Sequence, residues 1–203
     1  MRRVVLLLTV MAAAVVLASG VALAVDRVGT NGPDVLRGTE GKDNLLGKGG
    51  QDDIFGLGGS DNLLGGPGKD NVFGGDERRP KGGDKNLDGG SGNDAVFGGR
   101  GSDNLVGGDG NDFLIDGNLG ESSRDNLSGG SGNDVFLVDN VPAFGDVVAC
   151  GGGFDRVLAD RKDTVARDCE RVKIVRGSRE EVIAQEEAFL ESIPESFFAG
   201  LQQ

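Results

Sequence analysis

An aspartate recurs every nine residues over most of this chain, and glycine fills much of the interval. In "GGSGNDAVFGGRGSDNLVGGDGNDFLI", residues 89–115, three units lie end to end, each close to Gly-Gly-x-Gly-x-Asp-x-apolar-x. Five units run without a gap from Gly29 to Phe73: "GTNGPDVLR", "GTEGKDNLL", "GKGGQDDIF", "GLGGSDNLL" and "GGPGKDNVF". The sixth, 74–88, is longer by six residues; three regular units fill 89–115; the tenth, 116–128, is longer by four. The eleventh is regular, the twelfth (138–149) is degenerate and longer by three, and the thirteenth, "CGGGFDRVL", ends at Leu158. A fixed short period of this kind is the signature of a stacked repeat architecture.

The unit has a physical reading. Glycines at the first, second and fourth places let the backbone take positive φ and turn tightly. The last three places form a minimal strand whose middle side chain points opposite to its flanks. The middle residues are Leu36, Leu45, Ile54, Leu63, Val72, Leu87, Val96, Leu105, Leu114, Leu127, Phe136, Val148 and Val157, all apolar. They read as the inward row of a stacked parallel sheet. A Gly/Asp-rich disordered segment is the alternative, and an in-phase apolar row speaks against it.

Composition narrows the function. The chain of 203 residues has 33 acidic and 21 basic residues, a net charge of −12, and no His, Trp or Tyr. A His general base, a His-ligated zinc site and a Ser-His-Asp triad are excluded. Nucleic acid is not expected as a partner, because phosphate calls for Lys and Arg. Neither H-E-x-x-H nor G-x-S-x-G occurs, so an enzyme would need an unrecognised site.

Residues 1–24 read as a secretory signal peptide: Arg2 and Arg3, an apolar run, then Ala22-Leu23-Ala24 as an A-x-A cleavage site. An uncleaved membrane anchor is the alternative. After cleavage no further segment is apolar and long enough to span a bilayer, and the protein is expected outside the cell. Cys150 and Cys169 are the only cysteines. An even count in an exported chain suggests a disulfide, with two free thiols as the alternative.

The repeat resembles the RTX (hemolysin-type) calcium-binding nonapeptide, over residues 29–158. Repeats of that kind are associated with calcium-binding parallel β-helices. The resemblance implies a right-handed parallel β-roll, two units to a coil, with calcium between successive turns on the same edge. Turn carbonyls and the sixth-place Asp would supply oxygens to this hard cation. The expected metal ligands are Asp34, Asp43, Asp52, Asp61, Asp70, Asp94, Asp103, Asp112, Asp125, Asp134 and Asp155; the degenerate twelfth unit places Asp146 likewise. A row of carboxylates repels itself, so folding is expected to need calcium.

Parity separates the two edges. Odd units carry Asp at every sixth place, whereas the even row has Lys85 in the sixth unit and holds all three lengthened units. The sites beside Lys85 are therefore expected to be weak; a shifted register using Asp84 is the alternative. At the ninth place odd units read Arg37, Phe55, Phe73, Phe97, Ile115, Leu137 and Leu158, an apolar ladder on an outer face.

The chain after the repeats has two parts. Residues 159–176 contain an alternating stretch around Val172 and Ile174, expected as a cap strand pinned by the disulfide over an exposed sheet edge. Residues 178–193 read as a helix, with Ser178 and Glu181 forming a capping box and Pro194 ending it. Val182, Ile183, Phe189, Leu190 and Ile193 are expected on one side, available to cover the outer ladder; "ESFFAGLQQ" reads as a tail. The expected organisation is a signal peptide (1–24), an all-β calcium-binding roll (25–158) and a C-terminal cap strand with an amphipathic helix (159–203). The expected role is a structural or binding module outside the cell, or an adhesion protein contacting an extracellular or cell-surface partner through the outer apolar face.

Overall fold

The computed structural model describes residues 24–76, 86–117, 123–140 and 144–202. The leader segment before Ala24, and Lys85 with its alternative Asp84, lie outside the described residues.

The nine-residue period becomes two parallel sheets of eight strands each. One sheet holds β1 (Asp26–Val28), β3 (Asn44–Leu46), β5 (Asn62–Pro67), β7 (Asn86–Ser91), β9 (Asn104–Asp109), β11 (Asn126–Ser131), β13 (Val147–Gly152) and β15 (Thr164–Val165), in that order. The other holds β2 (Val35–Arg37), β4 (Asp53–Leu57), β6 (Asn71–Asp76), β8 (Ala95–Arg100), β10 (Phe113–Ile115), β12 (Val135–Val138), β14 (Arg156–Ala159) and β16 (Arg171–Ile174). Each strand therefore pairs with the unit two along, and consecutive units alternate between sheets. Register follows the inward residues: Leu36, Ile54, Val72, Val96, Leu114, Phe136 and Val157 stand side by side in one sheet. The extra residues of the sixth, tenth and twelfth units leave this register unchanged.

All thirteen inward residues are buried, Leu36 at the open end being the most accessible at 8%. They fill the space between the sheets as one apolar column. The expected solenoid is therefore the observed one, and the apolar row is its core.

Both sheets extend past Leu158. Two shortened units, 159–166 and 167–173, supply β15 and β16, with Val165 beside Val148 and Val172 beside Val157. Val172 and Ile174 remain 41% and 39% exposed, as expected of the last strand in a stack. Cys150 of β13 is joined to Cys169, just before β16, with 5.2 Å between the Cα atoms. The bond ties the penultimate rung of one sheet to the segment entering the last rung of the other.

Two helices follow, one more than expected. Helix α1 spans Arg179–Leu190 with Ser178 as N-cap, and the capping box with Glu181 is present. It ends three residues before the expected Ile193: the Ser192 and Ile193 amides donate to the Phe189 and Leu190 carbonyls, tightening the last turn ahead of Pro194. Helix α2, Glu195–Gln202, forms from the segment read as a tail. Pro194 opens it, its carbonyl accepting from the Phe197 amide at 2.9 Å. Val182, Phe189 and Ile193 are buried against Val135, Leu137, Leu158 and Val175, with Ile115, Leu190, Phe197 and Phe198 packed around them. Ile183, expected on the same side, is 37% exposed. The helices thus cover the outer ladder at its C-terminal end. Phe55, Phe73 and Phe97 stay partly accessible, stacked at ring-centroid distances of 5.0 and 4.7 Å, with the Arg37 guanidinium over Phe55.

Candidate metal-binding edges

The sixth-place aspartates form two columns, one along each edge of the solenoid. In the odd-unit column one carboxylate oxygen is committed to the backbone. The Asp34 amide donates to Asp52 Oδ1 (2.8 Å), Asp52 to Asp70 (2.8 Å), Asp70 to Asp94 (2.7 Å), Asp94 to Asp112 (2.8 Å), Asp112 to Asp134 (2.9 Å) and Asp134 to Asp155 (2.8 Å). The Asp155 amide ends the column by donating to Glu170 Oε2. In the even column the Asp43 amide donates to Asp61, Asp103 to Asp125, Asp125 to Asp146 and Asp146 to Asp163. Each aspartate thus carries the turn of the coil before it.

The second oxygen differs. Oδ2 of Asp52, Asp70, Asp94, Asp112, Asp134 and Asp155 is buried and accepts no hydrogen bond among the described residues. A buried oxygen without a partner is costly, and a carboxylate more so. Except in the thirteenth unit, which begins with Cys150, each oxygen faces a first-place glycine. A Cβ on Gly89 would lie 2.6 Å from Asp94 Oδ2 and 2.7 Å from the Gly107 carbonyl. On Gly56 it would lie 2.6 Å from Asp61 Oδ2 and 2.5 Å from the Gly74 carbonyl. The missing side chain leaves a notch on which a carboxylate oxygen and a carbonyl from the next coil converge. Oxygen donors alone suit a hard divalent cation.

Electrostatics point the same way. Burial pushes Asp70 up to about 6, Asp94 to about 7, Asp112 to about 8 and Asp134 to about 7. The accepted amide pulls each down in part, and neighbouring carboxylates in the column add to the rise. Such a row favours protons or cations.

The first two expected ligands are placed differently. Asp34 Oδ2 accepts from the Thr30 amide at 2.6 Å and the Thr30 hydroxyl at 3.0 Å, and Asp43 Oδ2 from the Thr39 amide at 2.5 Å. Threonine at the second place of these two units meets the oxygen that the later units leave open.

Sequence reasoning missed several acids. Asp163 and Glu170 hold the sixth place of the two shortened units; the signal was an acid followed by x-Val-x in "DTVA" and "ERVK". Asp116, Asp125 and Asp146 bring buried carboxylate oxygens within 4.8 Å of one another. Asp116 was detectable as the only acid at a first place, where regular units carry glycine.

A parallel solenoid with carboxylates and carbonyls converging on its turns defines a metal-binding repeat module. The family model of the RTX calcium-binding nonapeptide repeat matches residues 28–63, 46–78, 82–115 and 119–139, together more than half of the chain. The chain belongs to this family: it is a calcium-binding β-roll. The matched stretches stop at 139, whereas the sheets continue to Ile174. No curated protein matches the chain. No helix among the described residues is long and apolar enough to cross a membrane.

Proposed function

We propose that this protein is exported through the leader 1–24 and takes up calcium outside the cell, where its roll serves as a structural or binding module without catalytic activity. Asp52, Asp61, Asp70, Asp94, Asp103, Asp112, Asp125, Asp134 and Asp155 hold the ions through their second carboxylate oxygens together with turn carbonyls. Asp34 and Asp43 contribute at the open end, more weakly, because threonine already occupies their second oxygens. Calcium, when bound, neutralises the columns and ties each coil to the next. The residues themselves hold the turns, through the amide that each first oxygen accepts.

The observation that carries this reading is the odd-unit column, in which Oδ2 of Asp52, Asp70, Asp94, Asp112, Asp134 and Asp155 is buried without a hydrogen-bond partner among the described residues. Anomalous scattering from crystals grown in calcium tests it. Peaks beside Asp52, Asp70, Asp94, Asp112 and Asp134 are expected, and a column without peaks would refute the assignment. Export is tested separately by N-terminal sequencing of protein from the culture medium. Val25 as first residue is expected, and a cell-retained chain beginning at Met1 would contradict it.

A second reading, adhesion to an extracellular partner, is favoured by the partly accessible stack of Phe55, Phe73 and Phe97 beyond the reach of the helices. Loss of a captured surface partner in Phe73→Asp, with calcium binding kept, would support it.

A further inference from the structure

The even column departs from the repeat chemistry at the start of the tenth unit. In a regular unit the first residue is glycine, and its bare Cα leaves the notch beside the sixth-place oxygen. The tenth unit begins with Asp116 instead. Its carboxylate enters that space, 3% exposed, close to Asp125 and Asp146, which are fully buried. Carboxylate oxygens of these three residues lie within 4.8 Å of one another. Two oxygens each about 2.4 Å from a shared calcium can be no farther apart than about 4.8 Å, so the cluster has the span of a single coordination shell. The Asn140 amide donates to Asp116 Oδ2 at 2.8 Å and to Asp146 Oδ2 at 2.6 Å. Rotating that amide by half a turn would present its oxygen instead.

A second observation comes from outside the cluster. Asp116 and Asn140 line a cavity of about 400 Å³ between the roll and α1, together with Ile115, Leu137, Asp139 and Glu186, and with Arg179 at its side. Asp139 is only 8% exposed, and its Oδ2 is buried with no hydrogen-bond partner among the described residues. Asp139 belongs to neither sixth-place column. Burial, and then the Glu186 carboxylate, push it up to about 7. The wall of this cavity thus carries the carboxylates of Asp116, Asp139 and Glu186 against the single guanidinium of Arg179, and one of those acids leaves a buried oxygen without a hydrogen bond among the described residues.

We propose a calcium site of non-repeat type in this cavity, held by Asp116, Asp125 and Asp146 with Asp139 and Asn140. It deepens the calcium reading given above at one point: the carboxylate that replaces the first-place glycine becomes a ligand in its own right. The site lies where the tenth and twelfth units depart from the nine-residue length, so it binds the two lengthened units to each other. Glu186 brings a residue of α1 to the same cavity.

Native mass spectrometry of the full chain in calcium, beside Asp116→Asn and Asp139→Asn, tests the site. Each variant should carry one calcium ion fewer than the parent while keeping the others. A count equal to the parent in both variants would overturn the proposal. Asp139 lies outside the repeat columns, so Asp139→Asn reads this site even where Asp116→Asn does not fold. A parent chain holding a single ion that is lost in Asp139→Asn would uphold this site and sink the assignment of the columns instead.

Discussion

At the scale of the residue, the sixth-place aspartate does two jobs with two oxygens. One accepts the amide of the preceding aspartate in its column; the other faces the glycine notch. Asp94 stands in mid-column with its second oxygen buried and open to a cation, whereas the second oxygen of Asp43 already accepts from Thr39. Asp94→Ala should therefore lower the melting temperature in calcium more than Asp43→Ala. At calcium tenfold above its dissociation constant, each lost site removes about 1.4 kcal/mol of linkage stabilisation, and a mid-column aspartate borders two sites. Equal shifts in thermal melts of the two variants would count against shared ligands. Protons act on the same oxygens. Asp94 and Asp112 stand at about 7 and about 8 in the metal-free fold, against about 3.9 in an unfolded chain. The folded state then binds more protons, so this contribution is fully present below about pH 4 and is lost as pH rises through 7 to 8. In chelator, lowering the pH from 8 to 5.5 should increase β-sheet signal in circular dichroism. A decrease over that interval would contradict the raised values.

At the scale of the element, three-residue strands become a sheet because the neighbour two units away offers the same apolar-centred triplet in register. This is legible from the sequence: Leu36, Ile54 and Val72 are in phase there, and they stand side by side in the sheet. Asp163 and Glu170 were not legible as rungs, because the units around them are shortened and lack the glycines that mark the turns. Helix α2 was missed for a related reason. Pro194 was read as a stop, yet proline fits the start of a helix, and the apolar payoff of Phe197 and Phe198 lies in Phe113, far away in sequence. The ninth-place ladder did point to a cover, and α1 with α2 supplies it over Ile115, Leu137 and Leu158. Deleting residues 178–203 should bare this face. The truncated protein in calcium is expected to bind more hydrophobic dye than the full chain, or to self-associate where the full chain does not. Unchanged dye binding and a monomer in both would rule out the helices as a necessary cover.

At the scale of the whole molecule, the apolar column is narrow and the acidic columns are long. A single line of Leu, Val, Ile and Phe runs between the sheets, while a row of buried carboxylates follows each edge. Stacking coils at about 4.8 Å brings like charges into register, so the sequence feature that sets the fold also opposes it until a cation arrives. The disulfide and the helices secure the C-terminal end; at the other end β1 and β2 leave Val28 and Val35 each 61% exposed. The periodicity of the site was readable from sequence, because ligand spacing along an edge is twice the nine-residue period wherever the units are regular. The acid cluster around Asp116 was not, since it depends on how units of unequal length fold back on one another. The central claim is that calcium and this fold are one equilibrium. Far-ultraviolet circular dichroism during a calcium titration at pH 7.5, starting in chelator, tests it most directly: the account predicts a largely unfolded spectrum that converts cooperatively to β structure as calcium is added, and full β signal in excess chelator would contradict it.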